Sequence, residues 1–278
     1  MNILMSYRVN KFFRRLNWQL EYLLSLPLKL VIYFNLYKIK DGFPDFLIIG
    51  LPKSASWWLA QMIDKNPSFF LGSNPNGKWE IRYFSVNFNK NLNFYLKIFQ
   101  GKTKYLKFEK SPDYSIISEF RIRLLKKLNP DIKIILMYRD PIERGFSHAK
   151  MDLLRRPGKR FDEVSLERFR IHYHHTAISY NYEEIYKKWN KYFDEKHLLV
   201  VLMDSIIADP IKVLEEVHDF LDVPFQLDYC QDISAVNKTQ IIDMPENHYN
   251  YLQQVNDNNI KFYNKLLQKK IVKESLKA

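Results

Sequence analysis

Phe46-Leu-Ile-Ile-Gly-Leu-Pro-Lys-Ser-Ala-Ser-Trp-Trp-Leu59 decides how this chain folds. It opens as a short apolar run, turns at Gly50-Leu-Pro52 and continues in an amphipathic pattern, so it reads as a strand, a loop and a helix. Lys53 stands on the turn, and two hydroxyl residues, Ser54 and Ser56, follow it. A helix N-terminus directs unpaired backbone N–H groups outward, and an ammonium beside them adds positive charge, which makes an anion site. In the G-x-x-x-x-G-K-[ST] phosphate loop the lysine closes a glycine-rich turn. Here the lysine opens the turn and the glycines are missing, which speaks against an ATPase or a kinase.

The same strand-then-helix order recurs downstream. Ile132–Tyr138 and Leu198–Leu202 are apolar runs without polar alternation, as burial on both faces of a sheet produces. Lys104–Phe108 alternates more and reads as a fourth strand. Helical spacing covers Ser56–Asp64, Ser115–Leu128, Ser179–Phe193, Asp209–Leu221 and Asn250–Ile271. Asp209-Pro210 has the form of an N-cap followed by proline at the first helical position. The alternation predicts an α/β fold, a parallel sheet with helices on both faces and ligands at the carboxyl ends of its strands. Tyr138-Arg-Asp-Pro-Ile-Glu-Arg-Gly-Phe-Ser147 leaves one such end. Arg139 offers a planar donor fork suited to phosphate, Asp140-Pro141 starts a helix, and Ser147 lies about two turns along it. Together the two segments predict a pocket for a nucleotide with phosphates at both ends.

The 278 residues allow a sizeable core, and 46% hydrophobic with 27% charged residues is a globular composition. A net charge of +12 favours anionic partners, although no nucleic-acid signature accompanies it and no nucleic-acid partner is expected. The single Cys230 excludes an intrachain disulfide framework and fits a reducing, cytoplasmic compartment. Asp41-Gly-Phe-Pro44 marks a boundary between residues 1–43, a basic, aromatic N-terminal helical extension, and a main domain over 44–278. Leu16–Tyr37 is apolar but interrupted by Glu21, Pro27, Lys29 and Asn35, which weakens a membrane span. Two readings stay open for residues 1–40: a segment packed on the domain, or an anchor in peripheral contact with a membrane surface. His172-Tyr-His-His175 reads as a loop of partly exposed histidines, and no metal site is expected.

Pro52-Lys53-Ser54-Ala55-Ser56-Trp57-Trp58 resembles the P-K-[ST]-G-T-[ST] loop, often followed by tryptophan, of sulfotransferases that use 3′-phosphoadenosine 5′-phosphosulfate (PAPS). Ala55 stands where that family has glycine, and Trp57 where it has a hydroxyl residue. Arg139 and Ser147 have the spacing of the family's 3′-phosphate motif. Trp79-Glu-Ile-Arg-Tyr-Phe84 is similar to the K-E-[IL]-H-[FY]-F element of carbohydrate sulfotransferases, with Trp79 in the place of lysine or asparagine and Arg82 in the place of histidine. Glu109-Lys-Ser-Pro-Asp-Tyr114 resembles E-K-[ST]-P-x-Y, and Asn237-Lys238 falls where many members close a loop over the nucleotide.

The resemblance implies a P-loop-NTPase-like sheet and transfer of a sulfuryl group from PAPS, without a metal, to a hydroxyl or amine of an acceptor, most readily a glycan. It implies Lys53, Glu80 and Lys110 as catalytic, with Glu80 as the general base. Pro52, Lys53, Ser54, Ala55, Ser56, Trp57, Trp58, Arg139, Ser147 and Lys238 are implied to hold the nucleotide. The alternatives are a noncatalytic anion- or glycan-binding protein on a degenerate sulfotransferase scaffold, and an atypical nucleotide-dependent kinase.

Overall fold

The structure is a computed structural model and describes Pro27, Lys29 and residues 42–75, 80–155, 160–176, 180–230 and 242–275. Within these residues one sheet is formed by β1 (Phe46–Gly50), β2 (Phe69–Leu71), β3 (Leu106–Lys110), β4 (Lys133–Tyr138) and β5 (Leu198–Leu202). The strand order is β2-β3-β1-β4-β5, and every pairing is parallel. The connecting helices are α1 (Ser56–Asp64), α2 (Leu92–Phe99), α3 (Glu119–Leu128), α4 (Pro141–Leu153), α5 (Leu166–Thr176), α6 (Tyr182–Asn190), α7 (Met203–Ala208) and α8 (Pro210–Phe220), followed by α9 (Glu246–Val255) and α10 (Asp257–Ser275).

All five residues of β1 are buried, and their side chains alternate between two cores. Leu47 and Ile49 join Leu136, Tyr138, Ile185 and Trp189 on one face. Phe46 and Ile48 join Leu59, Met137, Val201 and Leu214 on the other. Both faces are therefore covered, which is why β1 is apolar throughout. Trp189 is wholly buried, and its indole N–H donates to the carbonyl of Ser115 at 3.1 Å.

The topology positions the site. The chain leaves β1 for the sheet edge, returns to β3 beside it, then crosses to β4 on its other flank. In an open parallel sheet the crevice at such a switch of direction, at the carboxyl ends of the strands, takes the ligand. Ile48 pairs with Lys110 and Gly50 with Met137, so the ends of β3, β1 and β4 lie side by side. Gly50 is required there. A Cβ on it would meet the Met137 carbonyl oxygen at 2.5 Å, and its φ is 146°.

Several helices differ from the sequence expectation for local reasons. The spacing over Ser115–Leu128 divides into a 3₁₀ turn, Pro112–Ile116, and α3, because Ile117 and Ser118 are extended with ψ of 159° and 154°. The Asn250–Ile271 pattern is two helices that meet at Asn256. That side chain donates to the Leu252 carbonyl at 2.9 Å and accepts from the Tyr173 hydroxyl at 2.9 Å, a competition with helical bonding that asparagine is suited to. The histidine run lies on α5 rather than in a loop. His172 faces Asp152 at 3.0 Å, and His174 faces the Tyr251 hydroxyl at 2.9 Å. The starts of α4 and α8 follow the expected Asp-Pro form: Asp140 accepts from the amides of Ile142 and Glu143, and Asp209 from that of Lys212.

Among the described residues no helix is long and apolar enough to cross a membrane. Of residues 1–41 only Pro27 and Lys29 are described, so the readings of the extension lie almost wholly outside the described residues. Lys29 is buried, donates to the Phe88 carbonyl and lies 4.0 Å from the centroid of the Phe88 ring. Burial, then Arg121, pushes its pKa down to about 8.

Candidate active site

The loop from β1 to α1 is tight because two of its residues are left-handed, Lys53 at φ 74° and Ala55 at φ 62°. Ser54 between them is fully buried, and its hydroxyl lacks a hydrogen-bond partner. Ser56 opens α1, whose N-cap position, Ala55, supplies no side-chain acceptor. The loop thus places an unpartnered hydroxyl beside a helix N-terminus. A Cβ in the left-handed region costs about 1–2 kcal/mol, and glycine avoids it at a smaller entropic cost. Ala55→Gly is therefore expected to raise the unfolding free energy by about 0.5–1 kcal/mol in a denaturant titration. A loss would mean that packing of the Ala55 methyl outweighs the backbone relief.

The second predicted turn meets this loop. Arg139, directly after β4, donates from Nη1 to the Lys53 carbonyl oxygen at 3.2 Å, and its Nη2 lies 3.3 Å from Glu143. Its own carbonyl accepts from the Tyr182 hydroxyl at 2.9 Å, which fixes the strand end. Ser147 lies on α4, 7% exposed. Burial lowers the pKa of Lys53, and the nearby charges of Arg139 and Lys150 lower it further. Lys150 is likewise lowered by burial and then by Arg139, with Glu143 opposing. Lys150 was not read as a site residue from sequence. It sits three residues after Ser147, on the same side of α4, and is 7% exposed. Two buried lysines, each lowered further by the Arg139 charge, favour an incoming anion.

The carboxyl end of β3 supplies a second set of side chains. Lys110, 6% exposed, donates to Glu80 Oε1 at 2.5 Å. Glu80 Oε2 lies 4.0 Å from Arg82 Nε, and Arg82 in turn binds Asp113 through Nε at 2.8 Å and Nη2 at 2.5 Å. Arg82 is held in the left-handed region at φ 55°, with its amide donating to the Ser111 hydroxyl at 3.2 Å. The Lys110 ammonium also lies over the Trp57 indole, 5.0 Å from its ring centroid. Donor loop, Lys110 and Glu80 are therefore contiguous.

Glu109, one residue earlier on β3, points to the opposite side of the sheet and is fully buried. Ser111 donates to it at 2.6 Å, yet burial pushes its pKa up to about 7. A carboxyl raised on folding contributes stability that is complete below its unfolded value near 4.5 and is lost as pH rises through about 7. Above pH 7 Glu109→Gln is expected to be more stable than the parent, by on the order of 3 kcal/mol, and to lack the decline between pH 4.5 and 7. Parallel pH–stability curves for the two proteins would show that Glu109 does not ionise in this way.

Residues 43–275 match the family model for the sulfotransferase domain. The chain belongs to the sulfotransferase domain family. Heparan sulfate glucosamine 3-O-sulfotransferase 5 of Homo sapiens is 28% identical over 201 residues, 68% of this chain and 56% of its own length. Heparan sulfate glucosamine 3-O-sulfotransferase 6 of Mus musculus is 26% identical over 185 residues, 64% of this chain and 52% of its own length. The chain thus spans about half the length of these curated relatives. A sulfotransferase from Alicyclobacillus acidocaldarius superposes with a TM-score of 0.54 at 22% identity, covering 79% of this chain and 96% of its own. One from Mycobacterium avium reaches 0.52 at 12% identity, covering 80% and 77%. These two share the fold.

In this sulfotransferase domain Arg139 meets the turn of residues 53–56, and Lys110 joins that loop to Glu80 through its contacts with Trp57 and Glu80. Trp58 is 6% exposed and packs with Leu59, Met62 and Phe108 in the core, so packing accounts for most of its surface. Trp79 and Lys238 lie outside the described residues. His148, next to Ser147, has its pKa pushed down to about 4, chiefly by burial and then by Arg144, which leaves a neutral imidazole near Lys53. Among the described residues no three His, Cys, Asp or Glu side chains gather as metal ligands.

Proposed function

We propose that the chain transfers a sulfuryl group from PAPS to a hydroxyl or amine of a carbohydrate. The observation that supports this most is the hydrogen bond from Arg139 to the Lys53 carbonyl, which brings the two cationic turns together. The residues present suit a doubly phosphorylated adenosine. Lys53, the orphaned Ser54 hydroxyl, Ser56 and the first amides of α1 serve the 5′-phosphate end. Arg139, Ser147 and Lys150 serve the 3′-phosphate, the group that separates this nucleotide from ATP.

In the reaction the acceptor oxygen forms a bond to sulfur, and the bond from sulfur to the bridging phosphate oxygen breaks. The acceptor proton passes to the Glu80 carboxylate, and adenosine 3′,5′-bisphosphate leaves. Lys53 neutralises the charge that develops on the departing phosphate. Lys110 is held by Glu80 at 2.5 Å, and a sulfonate beside β3 competes for that ammonium, which frees a Glu80 oxygen to accept from the acceptor hydroxyl as the donor settles.

Adenosine 3′,5′-bisphosphate is expected to raise the melting temperature far more than ADP does, since a ligand at about a hundred times its dissociation constant adds about 2.7 kcal/mol. Glu80→Gln should keep that shift and lose about 10²–10⁴-fold in turnover. Stabilisation by ADP alone would favour a kinase, and an unimpaired Glu80→Gln would remove the base from the scheme.

A further inference from the structure

The two halves of the crevice differ in charge balance. On the donor side Lys53, Arg139 and Lys150 stand near Glu143, whose side chain is 56% exposed. On the acceptor side, among the described residues, Lys110 pairs with Glu80 and Arg82 with Asp113, each at 2.5 Å, while Arg121 donates to the carbonyls of Phe84 and Ser85. The Ser85 hydroxyl also donates to Asp113, at 2.9 Å. That row of four charged groups carries no net charge, and Arg82 keeps its guanidinium on Asp113 through two hydrogen bonds despite a strained backbone. A polyanionic acceptor is drawn by cations left over from such pairing. Here the pairing is complete within the row.

The row ends on the Trp57 indole, partly exposed beside Lys110 and Glu80, where the family's loop has a hydroxyl residue. A flat aromatic face next to a charge-balanced base suits an apolar ring face better than an extended acidic chain. We propose that the acceptor is an uncharged cyclic alcohol, an unsulfated neutral sugar in the first instance, whose ring lies against Trp57 with the reacting hydroxyl at Glu80. Trp57 is then the residue that selects the acceptor. This rests on the sulfuryl-transfer reading.

The test uses the full chain with PAPS and three acceptors: a neutral methyl glucoside, the open-chain alcohol sorbitol, and heparan sulfate at moderate salt. The glucoside is expected to show kcat/KM at least about tenfold above sorbitol, within the range one apolar contact supplies, and above heparan sulfate. Trp57→Ala should erase the preference for the ring over the open chain, mainly through KM, and Trp57→Phe should restore most of it. Transfer to heparan sulfate alone, transfer to none of the three, or a ring preference that survives Trp57→Ala overturns the proposal. In each of those cases a thermal shift with adenosine 3′,5′-bisphosphate shows whether the donor reading still stands. Absence of that shift in the parent chain removes the sulfuryl-transfer reading itself.

Discussion

Lys53→Met lowers turnover by about 10²–10³-fold, the usual loss when one fixed donor to a developing oxyanion is removed, while affinity for adenosine 3′,5′-bisphosphate falls by less than about tenfold. The split follows from where the ammonium sits. It stands on a left-handed turn at the mouth of α1, desolvated and repelled by Arg139 and Lys150. Those neighbours and the amides of α1 remain in the variant and still hold the resting phosphates. In the proposed reaction, what disappears is the ammonium assigned to the bridging oxygen as its bond to sulfur breaks. Methionine preserves the length of the side chain, so the loop keeps its packing. Single-turnover rates with saturating donor, set beside calorimetric affinities, separate the two quantities. An equal fall in both would assign Lys53 to ground-state binding.

Arg139→Met weakens adenosine 3′,5′-bisphosphate by about 10²-fold or more, since a charge-assisted hydrogen bond contributes roughly 1.5–3 kcal/mol and the planar fork makes more than one. Adenosine 5′-phosphosulfate, which lacks the 3′-phosphate, is expected to lose far less. Arg139→Lys restores the charge without the fork and should recover only part of the affinity. Because Nη1 also holds the Lys53 carbonyl, some loss of turnover accompanies the change. Titration calorimetry with both nucleotides checks this. Equal losses for the two would show that Arg139 acts through the loop rather than on the 3′-phosphate.

The central sheet is legible in the sequence because burial on both faces leaves β1, β5 and β4 beyond Lys133 apolar. β2 is not, since three residues at a sheet edge are too few to show a pattern. Lys53 and Arg139 stand out because each is a cation within three residues of the carboxyl end of an apolar run, where parallel sheets bind ligands. Lys150 does not, because a lysine on a helix has the same signature whether it faces solvent or a phosphate. The pairing of Glu80 with Lys110 joins residues 30 apart on different elements, and the balance it creates with Arg82 and Asp113 depends on a left-handed backbone at Arg82 that no local pattern announces. Asn256 divides the last helical stretch through a contact with Tyr173, 83 residues away.

The bond between the Arg139 guanidinium and the Lys53 carbonyl has an entropic consequence for the proposed donor site. It fastens the loop after one strand to the end of its neighbour in the ligand-free chain, so a nucleotide that engages both turns meets them already together, and that part of the ordering cost falls on folding rather than on binding.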